Sequence, residues 1–168
     1  MRSDQSLATL EKIAADIKYG FTATASEAAV GPKFVRITDI LGGSIDWERT
    51  PYCEFDGDAE KFGIREGDLL IARIGASAGT VARVDREEEA VFASYLVRVR
   101  VRPEVADDRF VGFVLQSPRW NDYVARTRGG SAQPQFNGPL IKRFTFPLPP
   151  LREQPEPVKP GETDWSRI

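Results

Sequence analysis

Three short stretches of this chain hold side chains suited to gripping a ligand. Residues 126–137 read Arg-Thr-Arg-Gly-Gly-Ser-Ala-Gln-Pro-Gln-Phe-Asn, so Arg126 and Arg128 lead into a glycine-rich loop bearing the amides Gln133, Gln135 and Asn137. Arg pairs bidentately with guanine and Gln or Asn with adenine in the DNA major groove, which makes the stretch a candidate for reading base edges. Phe136 can meet a thymine methyl or anchor the loop to the core. The same residue types also suit an ordinary exposed loop. The second stretch is Arg73-Ile74-Gly75-Ala76-Ser77-Ala78-Gly79. Its small residues allow another backbone to approach closely, and Arg73 with Ser77 can bind phosphate; a plain connection between strands is the alternative. The third is Lys18-Tyr19-Gly20-Phe21, where Lys18 can contact phosphate or satisfy the last carbonyls of a preceding helix.

Catalytic groupings are missing. The chain has no histidine, which removes His-based triads, His metal sites and the commonest general base. Its single cysteine, Cys53, can form neither an internal disulfide nor a zinc site, and its apolar surroundings in sequence predict a buried thiol. Neither common phosphate-loop signature is present, and no carboxylates or lysines group convincingly. The expectation is a non-catalytic chain without a cofactor.

With 168 residues, 41% hydrophobic and 29% charged, the chain suits one globular domain with a real core. No apolar run approaches the roughly 18–20 residues needed to span a bilayer. The opening residues carry no apolar export signal, so the expected location is the cytoplasm, away from any membrane. Net charge is −2, but the charge is polarised along the chain. Residues 46–68 hold eight acids against three bases, whereas residues 98–152 hold ten bases against four acids. Such a distribution can present a basic face on a nearly neutral protein, or reflect ordinary surface variation.

The elements that must position these residues follow from apolar spacing. Leu7, Leu10, Ile13, Ala14 and Ile17 recur at three- and four-residue steps and predict an amphipathic helix over residues 6–17. From residue 33 to 101 the period becomes two. Strands are expected at 34–38, 52–55, 69–74 and 80–84, with a tight turn at Gly42-Gly43. A long strand over 90–102 alternates Val97, Val99 and Val101 with Arg98, Arg100 and Arg102, which predicts three arginines on a solvent-facing side. Phe110, Val111, Phe113, Val114 and Leu115 mark a helix, and Ser117-Pro118 starts a second one running to about residue 127. One helical turn over 140–144 and a closing strand over 144–148 follow. The fold class expected is α+β, a strongly curved mixed or antiparallel sheet with flanking helices. The domain is expected to span 1–154, with 155–168 a disordered proline-rich tail.

Several segments, in consistent order, resemble a target recognition domain of type I restriction–modification specificity subunits. They include Lys18-Tyr19-Gly20-Phe21-Thr22-Ala23, then Phe34-Val35-Arg36-Ile37-Thr38-Asp39-Ile40, and Gly67-Asp68-Leu69-Leu70-Ile71-Ala72-Arg73 with Gly75. Ala93-Ser94-Tyr95-Leu96-Val97-Arg98, Gly130-Ser131-Ala132-Gln133-Pro134-Gln135-Phe136-Asn137 and the run from Ile141 to Gln154 continue it. The resemblance covers roughly residues 7–154.

It implies a DNA-binding half-site reader that directs methyltransferase and motor–nuclease subunits to double-stranded DNA. In that family the methyltransferase subunits use S-adenosylmethionine, the motor–nuclease subunits use ATP and magnesium, and two recognition domains share one chain. Lys18, Tyr19, Arg73, Ser77, Arg126, Arg128, Gln133, Gln135 and Asn137 are the DNA-contact candidates. The chain departs from the family in holding one recognition domain and in carrying Pro155, Pro157, Pro160 and Gly161 where a long helix is expected. A natural half-subunit, a truncated product and a domain of a larger protein all fit this. A protein-interaction module that docks on a methyltransferase without reading DNA is the alternative function.

Overall fold

The computed structural model describes residues 6–128 and 135–154. In chain order the elements are β1 (Ser6–Thr9), α1 (Leu10–Ile13), β2 (Ala14–Tyr19), β3 (Lys33–Val35), β4 (Ile40–Leu41), β5 (Ser44–Ile45), α2 (Ala59–Phe62), β6 (Leu69–Ala72) and β7 (Val81–Arg83). Then come β8 (Ala90–Phe92), β9 (Leu96–Val101), α3 (Asp108–Val114), α4 (Pro118–Thr127), α5 (Gly138–Arg143) and β10 (Thr145–Leu148). The class is α+β, as expected, with one parallel pair, β3–β8, among antiparallel ones. Among the described residues the strands are shared out over several sheets. A four-stranded sheet in the order β2-β9-β6-β7 is accompanied by three two-stranded sheets, β1-β10, β3-β8 and β4-β5.

The four-stranded sheet is covered on both faces. Leu69 and Ile71 of β6 and Val97, Val99 and Val101 of β9 pack with Phe110, Val111 and Val114 of α3, Trp120 and Val124 of α4, and Ile141 of α5. From the opposite face Leu70, Ala72 and Leu96 pack with Val35, Ile45, Trp47 and Phe92, supplied by the small β units. A strand buried on both faces reads as a continuous apolar run, which is the Leu-Leu-Ile-Ala of β6.

Double coverage overturns the solvent-facing arginines. The period of two is right, but the second face of β9 is roofed. Arg98 is 1% exposed. It donates from Nη1 to the carbonyls of Lys61 (3.2 Å) and Gly63 (2.5 Å), and from Nη2 to Asp16 Oδ1 (3.0 Å). Its guanidinium also lies over the Phe92 ring, 5.5 Å from the centroid. Arg100 is held bidentately by Asp68, with both distances 2.8 Å, and that hydrogen-bonded carboxylate raises the guanidinium pKa above its ordinary value. Arg102 donates to the carbonyl of Lys12. The expected strand over 90–102 is also two strands, because Ala93, Ser94 and Tyr95 separate β8 from β9.

The expected helix over 6–17 is one turn between two strands. β1 pairs with β10, Ser6 opposite Leu148, and β2 pairs with β9, Tyr19 opposite Val97. Only α1 remains helical, started by Thr9, whose hydroxyl accepts from the Lys12 N–H at 3.2 Å. Partners far along the chain win over the local amphipathic pattern. The strand expected at 34–38 is likewise shorter: Lys33–Val35 pairs, and Ile37–Asp39 forms a 3₁₀ turn held by Arg36, which contacts Asp39 bidentately at 3.1 Å. Tyr52 makes isolated bridges instead of belonging to a strand. Gly42 and Gly43 do form the expected tight turn, joining β4 to β5 with φ of +56° and +85°, a pair of values that hairpins of this length require.

The C-terminal elements follow the sequence closely. Ser117 caps α4 with its hydroxyl, Pro118 occupies the first turn, and the helix ends at Thr127. α5 starts at Gly138, two residues earlier than expected, and β10 closes against β1. Cys53 is fully buried with Phe34 and Val91, and burial pushes its thiol pKa up. The expected tail over 155–168 lies outside the described residues.

Candidate nucleic-acid interface

The C-terminal end of β2, the N-terminal end of β9 and the C-terminal end of β6 lie at the same end of the four-stranded sheet, because the strands alternate in direction. Lys18, Tyr19, Arg73 and Ser77 therefore share that end with the exposed Tyr95. Gly20 is what lets β2 close onto the next segment: a Cβ there would stand 2.0 Å from the Ala93 carbonyl oxygen.

Arg73 sits where these elements meet. Its N–H donates to the Tyr95 carbonyl (3.0 Å), extending the β6–β9 ladder, and its own carbonyl accepts from the Phe136 N–H (2.7 Å). Nε donates to the Ser94 carbonyl (2.8 Å), and the guanidinium lies over Tyr19, 5.0 Å from the ring centroid. The Tyr19 hydroxyl in turn accepts from the Gly138 N–H at 2.9 Å. The start of α5 is thus tied to the end of β2.

The turn after Arg73 is closed by Ala78 N–H to the Gly75 carbonyl (3.1 Å) and Gly79 N–H to the Ala72 carbonyl (2.7 Å), leaving Ser77 exposed. Trp120 Nε1 donates to the Gly79 carbonyl at 2.8 Å and fastens this turn to α4. Arg126 and Arg128 stand at the far end of that helix. Arg126 is exposed, with Nε on the Asp122 carbonyl at 3.2 Å, and the Arg128 carbonyl accepts from the Gln135 N–H at 3.2 Å. Gln135 is exposed and bridges to Ile74. Asn137 caps α5, its Oδ1 accepting from the Leu140 N–H at 3.4 Å, so one of its two hydrogen-bonding groups already serves the fold. Gln133 lies outside the described residues. Of the two readings for Phe136, the anchor holds: it is fully buried, with its ring edge-on to Trp120 at 5.3 Å.

The fold thus gathers Tyr19, Arg73, Gln135 and Asn137 around one junction and sets Ser77 and Arg128 on the adjoining turn and helix end. Lys18 is exposed on β2 beside Tyr19. Sequence reasoning did not single out Tyr95, 56% exposed, nor the groove of about 390 Å³ that it lines with Thr22, Arg36, Thr38 and Ser94. The available signal was the Ala-Ser-Tyr interruption of an otherwise Val- and Arg-rich run. Among the described residues no three His, Cys, Asp or Glu side chains group as metal ligands, and no helix is long and apolar enough to cross a membrane.

The domain is α+β, with a polar, partly basic rim at one end of its central sheet. The profile of the family described as type I restriction modification DNA specificity domain matches residues 15–159, and the chain belongs to this family. The EcoKI specificity subunit of Escherichia coli strain K12 is 22% identical over 89% of this chain and 33% of its own length. The MjaVIII specificity subunit of Methanocaldococcus jannaschii is 25% identical over 74% of this chain and 31% of its own. The HsdS subunit from Thermoanaerobacter tengcongensis superimposes with a TM-score of 0.67 at 17% identity, covering 92% of this chain and 40% of that one. A further chain, from work on complex assembly and conformational transition of the type I R-M system, gives 0.68 at 18% identity over 92% of this chain and 36% of its own. The chain spans about a third of the length of the curated relatives it matches. These relatives are specificity subunits of type I restriction enzymes.

Proposed function

We propose that this chain is a sequence-specific DNA-binding module, a half-site reader, of a type I restriction–modification system. The observation that carries the reading is the convergence, in a chain of this family, of four separate segments bearing arginine, lysine and amide side chains at one end of the central sheet. Lys18, Ser77, Arg126 and Arg128 supply contacts to phosphate, which position a protein on the duplex. Gln133 and Gln135, with the remaining amide group of Asn137, supply contacts to base edges. Arg73 and Tyr19 sit between these two groups.

The recognition unit spans 1–154. The module acts in the cytoplasm beside methyltransferase and motor–nuclease subunits, and a second recognition domain completes a bipartite target. It carries no chemistry of its own: purified chain given S-adenosylmethionine, ATP, magnesium and DNA neither methylates nor cuts.

Titrating the full chain with duplex DNA over a range of salt, alone and with its methyltransferase subunit, tests the reading. Affinity for random duplex should be about micromolar or weaker and should fall steeply as salt rises. Sequence preference should emerge when the methyltransferase subunit is added. Tight association with that subunit but no salt-dependent DNA binding in either state would instead identify a docking module.

A further inference from the structure

The arginines of the described residues differ in what holds them. Arg36, Arg83, Arg98 and Arg100 each lie within hydrogen-bonding distance of a carboxylate, and Arg86 and Arg152 lie within ion-pair distance of one. Arg119 and Arg126 each rest on one carbonyl through Nε. Arg73 is held by both a carbonyl and an aromatic face, with no carboxylate partner among the described residues. Its backbone is pinned on both sides, by Tyr95 and by Phe136. The ring beneath it has little freedom either, because the Tyr19 hydroxyl is taken by the Gly138 N–H and a Cβ at Gly138 would stand 2.9 Å from that oxygen. The result is an oriented guanidinium whose two terminal nitrogens donate to no protein acceptor among the described residues.

A planar donor fork fixed in direction and left without a counter-charge fits a ligand that offers two acceptors in one plane. Phosphate oxygens accept from many directions and are met as well by a mobile side chain such as Arg126. Guanine offers O6 and N7 side by side in the major groove and rewards a fork held in advance, since little rotamer freedom remains to be lost on binding. We infer that Arg73 is a specificity-determining residue that donates Nη1 and Nη2 to the O6 and N7 acceptors of one guanine, and that Tyr19 is its positioning residue. The inference rests on the DNA-reading role proposed above. It moves Tyr19 from contacting DNA to holding the arginine that does.

Selection of preferred duplexes from a randomised pool, with the full chain and its methyltransferase subunit, tests this in wild type, Arg73→Ala, Tyr19→Leu and Tyr19→Phe. Thermal unfolding of each variant is measured alongside. Wild type should select a guanine at one position at least. Arg73→Ala should lower that preference about tenfold or more and leave the other selected positions unchanged. Tyr19→Leu should weaken the same position, and Tyr19→Phe, which keeps the ring, should recover most of it. Equal weakening of all sequences by Arg73→Ala would make Arg73 a phosphate contact and overturn the inference, as would a selected motif without guanine. A loss in Tyr19→Leu that tracks a lowered Tm and touches every position would overturn the positioning role. Wild type that binds no DNA would overturn the proposed function itself, a failure distinguishable from these.

Discussion

Two sets of arginines in this domain come from the same residue type and do opposite work. On β9, Arg98 is enclosed by β2, α2 and β8, Arg100 follows it on the same side, and each meets a carboxylate, Asp16 or Asp68. Asp68 is 1% exposed and also accepts from the Arg65 N–H at 3.0 Å, so its charge is matched from two sides. At the rim, Arg73, Arg126 and Arg128 form no ion pair among the described residues, and Arg126 is exposed. Counting bases along the chain adds the two sets together. The fold separates them: a buried arginine is neutralised because an unpaired charge in a low-dielectric interior is expensive, whereas a rim arginine keeps its charge for a partner.

The largest effect that tests this contrast is at Arg98. Arg98→Ala leaves the carbonyls of Lys61 and Gly63 without their donor and opens space over Phe92, so unfolding free energy should drop by about 3–5 kcal/mol in urea denaturation. A change within about 0.5 kcal/mol would mean the buried set is decoration, and the contrast would collapse. Asn137→Ala, at the boundary between fold and rim, should cost about 1 kcal/mol through loss of the α5 cap, with a smaller effect on DNA binding.

Arg126→Ala should sit at the other extreme. Stability should change by less than about 0.5 kcal/mol, while the slope of log affinity against log salt falls by about one for duplexes of any sequence. An unchanged slope for both Arg126→Ala and Arg128→Ala would show that the basic face points away from DNA. The smallest effect is at Cys53, away from both sets. Its raised pKa keeps the thiol protonated at pH values where a free cysteine begins to ionise, so alkylation of the folded protein should stay slow through that range. Fast labelling of folded protein, rising across the ordinary thiol range, would show that this site is open.

Signals contained within a few residues were legible in the sequence. Ser117-Pro118 starts α4, Gly42-Gly43 turns the β4–β5 hairpin, and the period of two along β9 sorts its valines onto one face. The ordered motifs pointed to the family. What tertiary structure alone decided is which neighbour each segment meets. Residues 6–17 carry a helical apolar period, yet the backbone of residues 6–9 pairs with residues 145–148 and that of 14–19 with 97–101. A local pattern cannot register partners 78 to 142 positions away. The alternation on β9 likewise tells that Arg98 and Arg100 share a side, but not that the small β units roof it. For the same reason Arg73 read as one of several phosphate candidates in sequence. Its orientation comes from Tyr19, Ser94, Tyr95 and Phe136, brought together from three other parts of the chain.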